Sequence, residues 1–293
     1  MKARLHAGTV IAAYGRSYTV MLDDGSSVAC YPRGKRSELA CGDRVQVALT
    51  GPAQGVVETI DPRSVLFYRS DAFRQKIIAA NVSQIVVVLA SSPSWYEELL
   101  NRCLVAAEAG HTRAVIVLNK VDLPEATAAL AALQTYADIG YPVVPLVARQ
   151  GVDALRPLLE GQTSVLVGQS GMGKSTIINA LHPEARASTA EVSAALDSGK
   201  HTTTHARLYQ LGPDTAIIDS PGMQEFGLHH VPRQELDACF PEFREWIGQC
   251  RFSNCRHMGE PGCAIDGAVG KGKVTTRRLS AYRAIASEAA RRS

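Results

Sequence analysis

The sequence predicts a multidomain chain: an N-terminal β-barrel, a central α/β unit on a mostly parallel sheet, and a mainly helical C-terminal unit. Three observations carry that reading. The chain has 293 residues, beyond the roughly 250 at which one hydrophobic core stops growing. Its opening stretch alternates short β-rich runs with turn residues, and from about Gln84 buried-type runs alternate with helix-length segments. After about Val231 the pattern becomes helical and polar around closely spaced cysteines. The expected boundaries are 1–63, 64–230 and 231–293. A composition of 46% hydrophobic and 20% charged residues excludes a wholly disordered chain.

In the first unit, Thr9–Ala13, Tyr18–Leu22, Ser27–Tyr31, Arg44–Leu49 and Gly55–Ile60 are the β-rich runs. Asp23-Asp24-Gly25 is a hairpin signal, and Pro32-Arg33-Gly34 and Cys41-Gly42-Asp43 punctuate the rest. Five short strands in so small a unit predict a closed barrel of OB type, although an SH3-like barrel fits the pattern almost as well. Arg33, Lys35 and Arg36 would place a basic cluster at its mouth.

In the second unit the expected strands are Gln84–Ala90, Ala114–Leu118, Val143–Val147, Ser164–Val167, Arg207–Leu211 and Thr215–Asp219. Helix-length segments at Trp95–Ala109, Pro124–Ala137 and Ser175–Leu181 lie between them. Apolar strands separated by helices predict a mostly parallel sheet covered on both faces. No unbroken apolar run exceeds six residues, Ile85–Ala90 being one, far below the ~20 of a membrane helix. Arg16 interrupts the N-terminal stretch before a secretory core could form. A cytoplasmic chain without membrane contact is expected, and its odd count of seven scattered cysteines argues against a disulfide framework.

Gly168-Gln169-Ser170-Gly171-Met172-Gly173-Lys174-Ser175, followed by Thr176, matches G-x-x-x-x-G-K-[ST] between a strand and a helix. Such glycines let successive backbone N–H groups converge on phosphates, and the helix N-terminus adds positive potential. Lys174 would reach the β- and γ-phosphates, and Ser175 would ligate Mg²⁺. Asp219-Ser220-Pro221-Gly222 ends a later apolar strand. Alone, D-x-x-G means little, since about one random match is expected in a chain of this size. After a P-loop it becomes a credible element, with Asp219 on the Mg²⁺ water shell and the Gly222 N–H at the γ-phosphate.

Asn119-Lys120-Val121-Asp122 follows a strand and points to guanine. The Asp122 carboxylate can accept from both N1–H and the exocyclic amine, a donor pair adenine lacks, and an unpaired desolvated carboxylate discriminates strongly. Asn119 would hold neighbouring loops, the Lys120 stem would lie on the ring, and the Ala148 N–H in Val147-Ala148-Arg149 would meet guanine O6. The order is unusual, because N-K-x-D precedes the P-loop and D-x-x-G follows it. One nucleotide site can still form if the chain is a circular permutation, with its natural ends joined and a new opening made elsewhere.

Cys250, Cys255, His257 and Cys263 supply three thiolates and one imidazole within fourteen residues. That set suits one closed, structural Zn²⁺ site, able to fix a segment too short to hold a core of its own. His229, His230 and Cys239 are possible substitutes, while Cys30, Cys41 and Cys103 read as ordinary buried residues. The net charge is +3, yet residues 264–293 carry seven basic and two acidic residues. Lys271, Lys273, Arg277 and Arg278 are therefore expected to contact a phosphate backbone.

Barrel, N-K-x-D, P-loop, Gly199-Lys200-His201-Thr202-Thr203-Thr204-His205, D-S-P-G and cysteine–histidine cluster, in that order, resemble the circularly permuted ribosome-assembly GTPases of the RsgA/YjeQ family. The resemblance spans nearly the whole chain. It implies an OB domain, a permuted P-loop GTPase domain and a zinc domain. It also implies binding to the small (30S) ribosomal subunit and its rRNA, a role in late subunit maturation, and slow GTP hydrolysis to GDP that the subunit stimulates. Met223 stands where Ras-like enzymes place a water-orienting Gln, so His201 is the candidate for that task and Thr203 for the switch ligand of Mg²⁺. A monomer is expected. Two other classes fit parts of the pattern: a P-loop ATPase or small-molecule kinase, and an RNA-binding scaffold whose GTP site is structural or regulatory.

Overall fold

The computed structural model describes residues 4–15, 17–34, 39–70, 75–183, 206–220 and 227–291. The first unit holds β1 (Leu5–Tyr14), β2 (Ser17–Leu22), β3 (Ser27–Pro32), β4 (Arg44–Gly51) and β5 (Gln54–Ile60). Period-two alternation turns Tyr18, Val20 and Leu22 of β2, and Val28 and Cys30 of β3, inward against Val10, Val45, Val47 and Val57. The strands pair in the order β1-β2-β3-β5-β4, and β4 closes on β1. All these pairs are antiparallel except β3–β5, the Greek-key arrangement of an OB barrel. Arg63 fixes the exit from the barrel by a two-pronged ion pair to Asp43, at 2.7 and 2.8 Å, and the Asp43 side chain is fully buried.

A hairpin of β6 (Leu66–Ser70) and β7 (Gln75–Ala80) follows, which the sequence pattern does not mark. It seats the barrel. Ala80 N–H donates to Cys41 O at 2.9 Å, and Gly42, at φ +90°, lies so close that a Cβ would fall 2.1 Å from Ala80 O. Only glycine fits there.

The central sheet runs β10 (Val143–Leu146), β9 (Arg113–Asn119), β8 (Gln84–Ala90), β11 (Thr163–Val167), β13 (Thr215–Asp219), β12 (Arg207–Gly212). Its first five strands are parallel and β12 is antiparallel. Every residue of β8 is buried, as expected of a strand covered on both faces. The helices α1 (Glu97–Ala109), α2 (Ala126–Ile139), α3 (Arg156–Leu159) and α4 (Lys174–Leu181) connect them. β12 also pairs with β1, Arg207 opposite Ala12, so barrel and central sheet form one continuous sheet of eleven strands.

The C-terminal part contains short 3-10 turns at Arg233–Glu235 and Pro241–Trp246, then α5 (Ala264–Gly270) and α6 (Thr276–Arg291). One stripe of α6, with Leu279, Tyr282, Ile285 and Ala286, joins the same core as Leu100 and Leu104 of α1. Tyr282 meets the stacked rings of Phe240 and Phe243 edge-on, with centroids 5.4 and 5.3 Å away. Among the described residues no helix is long and apolar enough to cross a membrane.

The same stripe corrects one expectation. Arg278 offers nothing to a phosphate backbone, because its side chain is 1% exposed. Its Nε donates to Glu242 Oε1 at 2.6 Å, Nη1 reaches Asn101 Oδ1 of α1, and the guanidinium lies 4.5 Å over the Phe240 ring. Arg277 is half-exposed but faces the same seam, paired with Glu97 and donating to Ala132 O at 3.1 Å. Removing one partner of a buried ion pair leaves the other charge uncompensated, at a cost of about 3–5 kcal/mol. Arg278→Ala is therefore expected to lower the urea midpoint by that amount of stability, and Arg278→Met by clearly less.

Candidate nucleotide site and metal centre

Parallel strands deliver their C-terminal ends to one edge of a sheet, where ligands of open α/β folds bind. Here the ends of β9, β10, β11 and β13 surround a cleft of about 480 Å³. One side is lined by Asn119, Lys120, Asp122, Leu123, Val147, Ala148 and Arg149. The other carries Ser170, Gly171, Gly173, Lys174, Ser175, Thr176, Asp219 and Ser220. Segments that lie on both sides of the P-loop in the chain thus meet in one cavity.

Asn119 joins them. It is 3% exposed; its amide donates to Met172 O in the P-loop at 2.9 Å, and its Oδ1 accepts from Lys120 N at 2.8 Å and Ala148 N at 2.9 Å. Gly173, at φ +98°, packs directly against it, and a Cβ there would lie 2.1 Å from the Asn119 amide nitrogen. The third glycine of the P-loop is thus required by its conformation and by the approach of Asn119. Ala148 lines the cleft, but its N–H is committed to Asn119 instead of standing free for guanine O6.

At the phosphate end, Lys174 is 8% exposed and folds back over the loop, donating to Gly168 O at 2.6 Å and Gln169 O at 2.9 Å. Those carbonyls hold the ammonium where loop amides could share a phosphate with it. Burial pulls the Lys174 pKa down, opposed by the charge of Asp219. Burial likewise raises the Asp219 carboxyl to about 6, opposed by Lys174. Two desolvated groups of opposite sign beside a helix N-terminus form a site suited to a polyanion with a divalent cation.

Not every expected contact lines the cleft. Gly168, Gln169 and Met172 frame the loop instead, with Met172 1% exposed beneath it. Val121, in the turn after β9, packs on the main core instead. Leu123, Val147, Arg149 and Ser220 join the lining although none is a candidate contact on sequence grounds. His201, Thr203 and Gly222 lie outside the described residues, as do Lys35 and Arg36. Arg33 is exposed and paired with Glu58 at 2.5 Å; Lys271 and Lys273 are exposed.

The ligand atoms of Cys250, Cys255, His257 and Cys263 all lie within 4.8 Å of one another. His257 Nδ1 stands 3.6, 3.7 and 3.3 Å from the sulfurs of Cys250, Cys255 and Cys263. Zinc bond lengths of about 2.3 Å to sulfur and 2.05 Å to nitrogen give a tetrahedral N···S edge of roughly 3.6 Å, so the cluster fits a metal such as zinc. His229, His230 and Cys239 stand apart from it. The other ring nitrogen of His257 faces Asp237 Oδ2 at 3.5 Å, the outer carboxylate that orients a ligating histidine. Nothing in the sequence near the cysteines marks Asp237. α6 braces the cluster, since Tyr282 OH donates to Arg256 O and Arg283 Nε to His257 O, at 3.0 and 2.9 Å.

Two outcomes follow. Folding raises the Asp219 pKa, so the folded state holds that proton more tightly than the unfolded chain. This stability is intact below about pH 4 and is lost as the pH rises through about 6, by about 3 kcal/mol at pH 8. Without nucleotide and Mg²⁺, Asp219→Asn should therefore unfold at a higher temperature than the parent at pH 8, with the gap closing near pH 4. For the metal, Asp237→Asn should weaken zinc retention about 10–100-fold in chelator competition.

The RsgA GTPase family model matches residues 60–229. A Nitrosospira multiformis protein named small ribosomal subunit biogenesis GTPase RsgA is 52% identical over 276 residues, covering 94% of this chain and 88% of that one. A Neisseria gonorrhoeae protein of the same name is 50% identical, covering 95% and 91%. The crystal structure of YjeQ from Thermotoga maritima superposes with a TM-score of 0.74 at 27% identity, covering 98% and 99%. That of YloQ, described as a circularly permuted GTPase, gives 0.71 at 26%, covering 99% and 96%. The family model spans more than half of the chain and the likeness to these relatives spans nearly all of it; the chain belongs to the RsgA GTPase family.

Proposed function

We propose that this chain is a GTPase that binds the small (30S) ribosomal subunit through its rRNA and assists its late maturation. It hydrolyses GTP to GDP and phosphate slowly alone and faster on the subunit. The observation that carries the reading is Asn119, whose side chain binds the P-loop, the N-K-x-D loop and the Ala148 loop at once. The relatives' printed name, small ribosomal subunit biogenesis GTPase, supports the subunit as partner.

In this reading Asp122 accepts from the guanine edge, the Lys120 stem lies along the base, and the loop Gly168–Ser175 with Thr176 cradles the phosphates. Lys174 neutralises charge on the transferring phosphoryl group, which needs positioning and charge compensation more than covalent help. Mg²⁺, when bound, neutralises phosphate charge, and Ser175, Asp219 and Thr203 are the residues to hold it and its waters. Gly222 donates to the γ-phosphate, and His201 orients the attacking water. Cys250, Cys255, His257 and Cys263 hold one structural Zn²⁺. Residues 1–63 form the OB domain, 64–230 the permuted GTPase domain and 231–293 the zinc domain of a cytoplasmic monomer. Arg33, Lys35, Arg36, Lys271 and Lys273 serve RNA contact.

Asp122→Asn tests the base assignment. Its amide cannot accept from the guanine donor pair but can donate to the C2 oxygen of xanthine, so GTP should bind at least about 100-fold more weakly and XTP should gain. Unchanged GTP affinity would overturn the reading. Multiple-turnover phosphate release with and without 30S subunits tests the stimulated turnover; release that the subunit leaves unchanged would reduce the site to a structural or regulatory one.

A further inference from the structure

The segment that leaves β8 is held to both halves of the cleft. Ser91 is 7% exposed; its N–H donates to Asn119 O at 3.1 Å and its hydroxyl donates to Lys120 O. The next carbonyl, Ser92 O, accepts from Lys120 Nζ at 2.8 Å. Four residues further on, Tyr96 N–H donates to Gln169 Oε1 of the P-loop at 2.8 Å. Trp95 packs against the cores on both faces of the sheet, which anchors the segment between these contacts.

Lys120 is one of few non-glycine residues at positive φ, +60°. A side-chain-bearing residue keeps that conformation only where its surroundings over-determine it. Its carbonyl leads directly into Val121 and Asp122, so the direction of that peptide sets where the Asp122 carboxylate stands. Asn119 grips the N–H side of Lys120; the Ser91 hydroxyl grips the carbonyl side. Lys120 O also accepts from Leu123 N–H at 3.1 Å, closing the turn that carries Asp122; without the Ser91 hydroxyl that turn bond alone would hold the carbonyl, and the loop could relax out of the left-handed region.

We propose that Ser91 is a positioning residue for guanine recognition, acting through Lys120 to hold Asp122 at the base edge. It rests on the reading of Asn119–Asp122 as the guanine loop. Ser91 is not among the residues lining the cleft, so its effect is the same for GDP and GTP and spares the chemical step.

The test compares wild type, Ser91→Ala, Ser91→Thr and Asp122→Asn in the full-length, zinc-loaded protein, with fluorescent GDP and GTP analogues and steady-state GTP hydrolysis. Ser91→Ala should bind both nucleotides about tenfold more weakly, the upper end of what one hydrogen bond contributes, chiefly through faster dissociation. KM should rise by the same factor while kcat falls less than twofold, and Ser91→Thr, which keeps the hydroxyl, should recover most of the affinity. Affinity of folded Ser91→Ala within twofold of wild type overturns the proposal. So does a fall in kcat that saturating GTP does not restore, the mark of a merely structural role. If the alanine variant does not fold, Ser91→Cys, which keeps the volume but donates only weakly, decides by the same affinity criterion. Should Asp122→Asn also leave GDP binding intact, the guanine-loop reading itself fails; should it alone weaken binding, only the role of Ser91 is lost.

Discussion

The site depends on one side-chain amide. Asn119 sits at the end of β9, buried beneath the cleft, and its three hydrogen bonds tie together segments from three places in the chain. In a low-dielectric environment such a satisfied network is rigid, and breaking one member leaves buried groups unpaired. The geometry of the P-loop is adjusted to it, since Gly173 leaves just enough room for the amide. Base end and phosphate end are thereby held in fixed relation whatever order the chain visits them in. That is why the permuted connectivity leaves the cleft intact: the parallel strands place their ends on one edge, and Asn119 locks the loops that leave them.

The same logic extends outward from the cleft. The C-terminal unit is fastened to α1 by ionic and polar contacts, Glu97 with Arg277, Asn101 with Arg278, and Glu108 with Arg244 at 2.5 Å. Behind them Tyr282 and the Phe240–Phe243 pair belong to the same core as α1. The cysteine–histidine cluster is therefore braced by a helix that packs against the central sheet's own cover.

Most of the fold was legible because it rests on local pattern. Short β-rich runs between turn residues marked the barrel strands, unbroken apolar runs marked β8 and β9, and Gly-rich or Asp-Gly turns marked the breaks. The phosphate and base loops were legible because their chemistry admits few residue types at fixed spacing. What escaped was set by contacts remote in sequence. A basic residue on a helix looks the same whether its stripe faces water or a buried Glu242, so Arg278 read as surface. Asp237 completes the outer shell of His257 from twenty residues away, with no spacing rule to announce it. The β6–β7 hairpin is defined by its seat under Cys41 and Gly42 more than by its own pattern.

Arg207 occupies an unusual crossroads. It faces Ala12 of the barrel on one flank and Asp219 on the other, so a single residue separates the outermost unit from the carboxylate at the floor of the cleft. A barrel hung on a flexible tether could swing without notice at the centre. This one is stitched into the sheet by main-chain pairing at β12 and seated on β7 as well, so torque applied to its rim by whatever it leans on is handed along β12 toward the cleft.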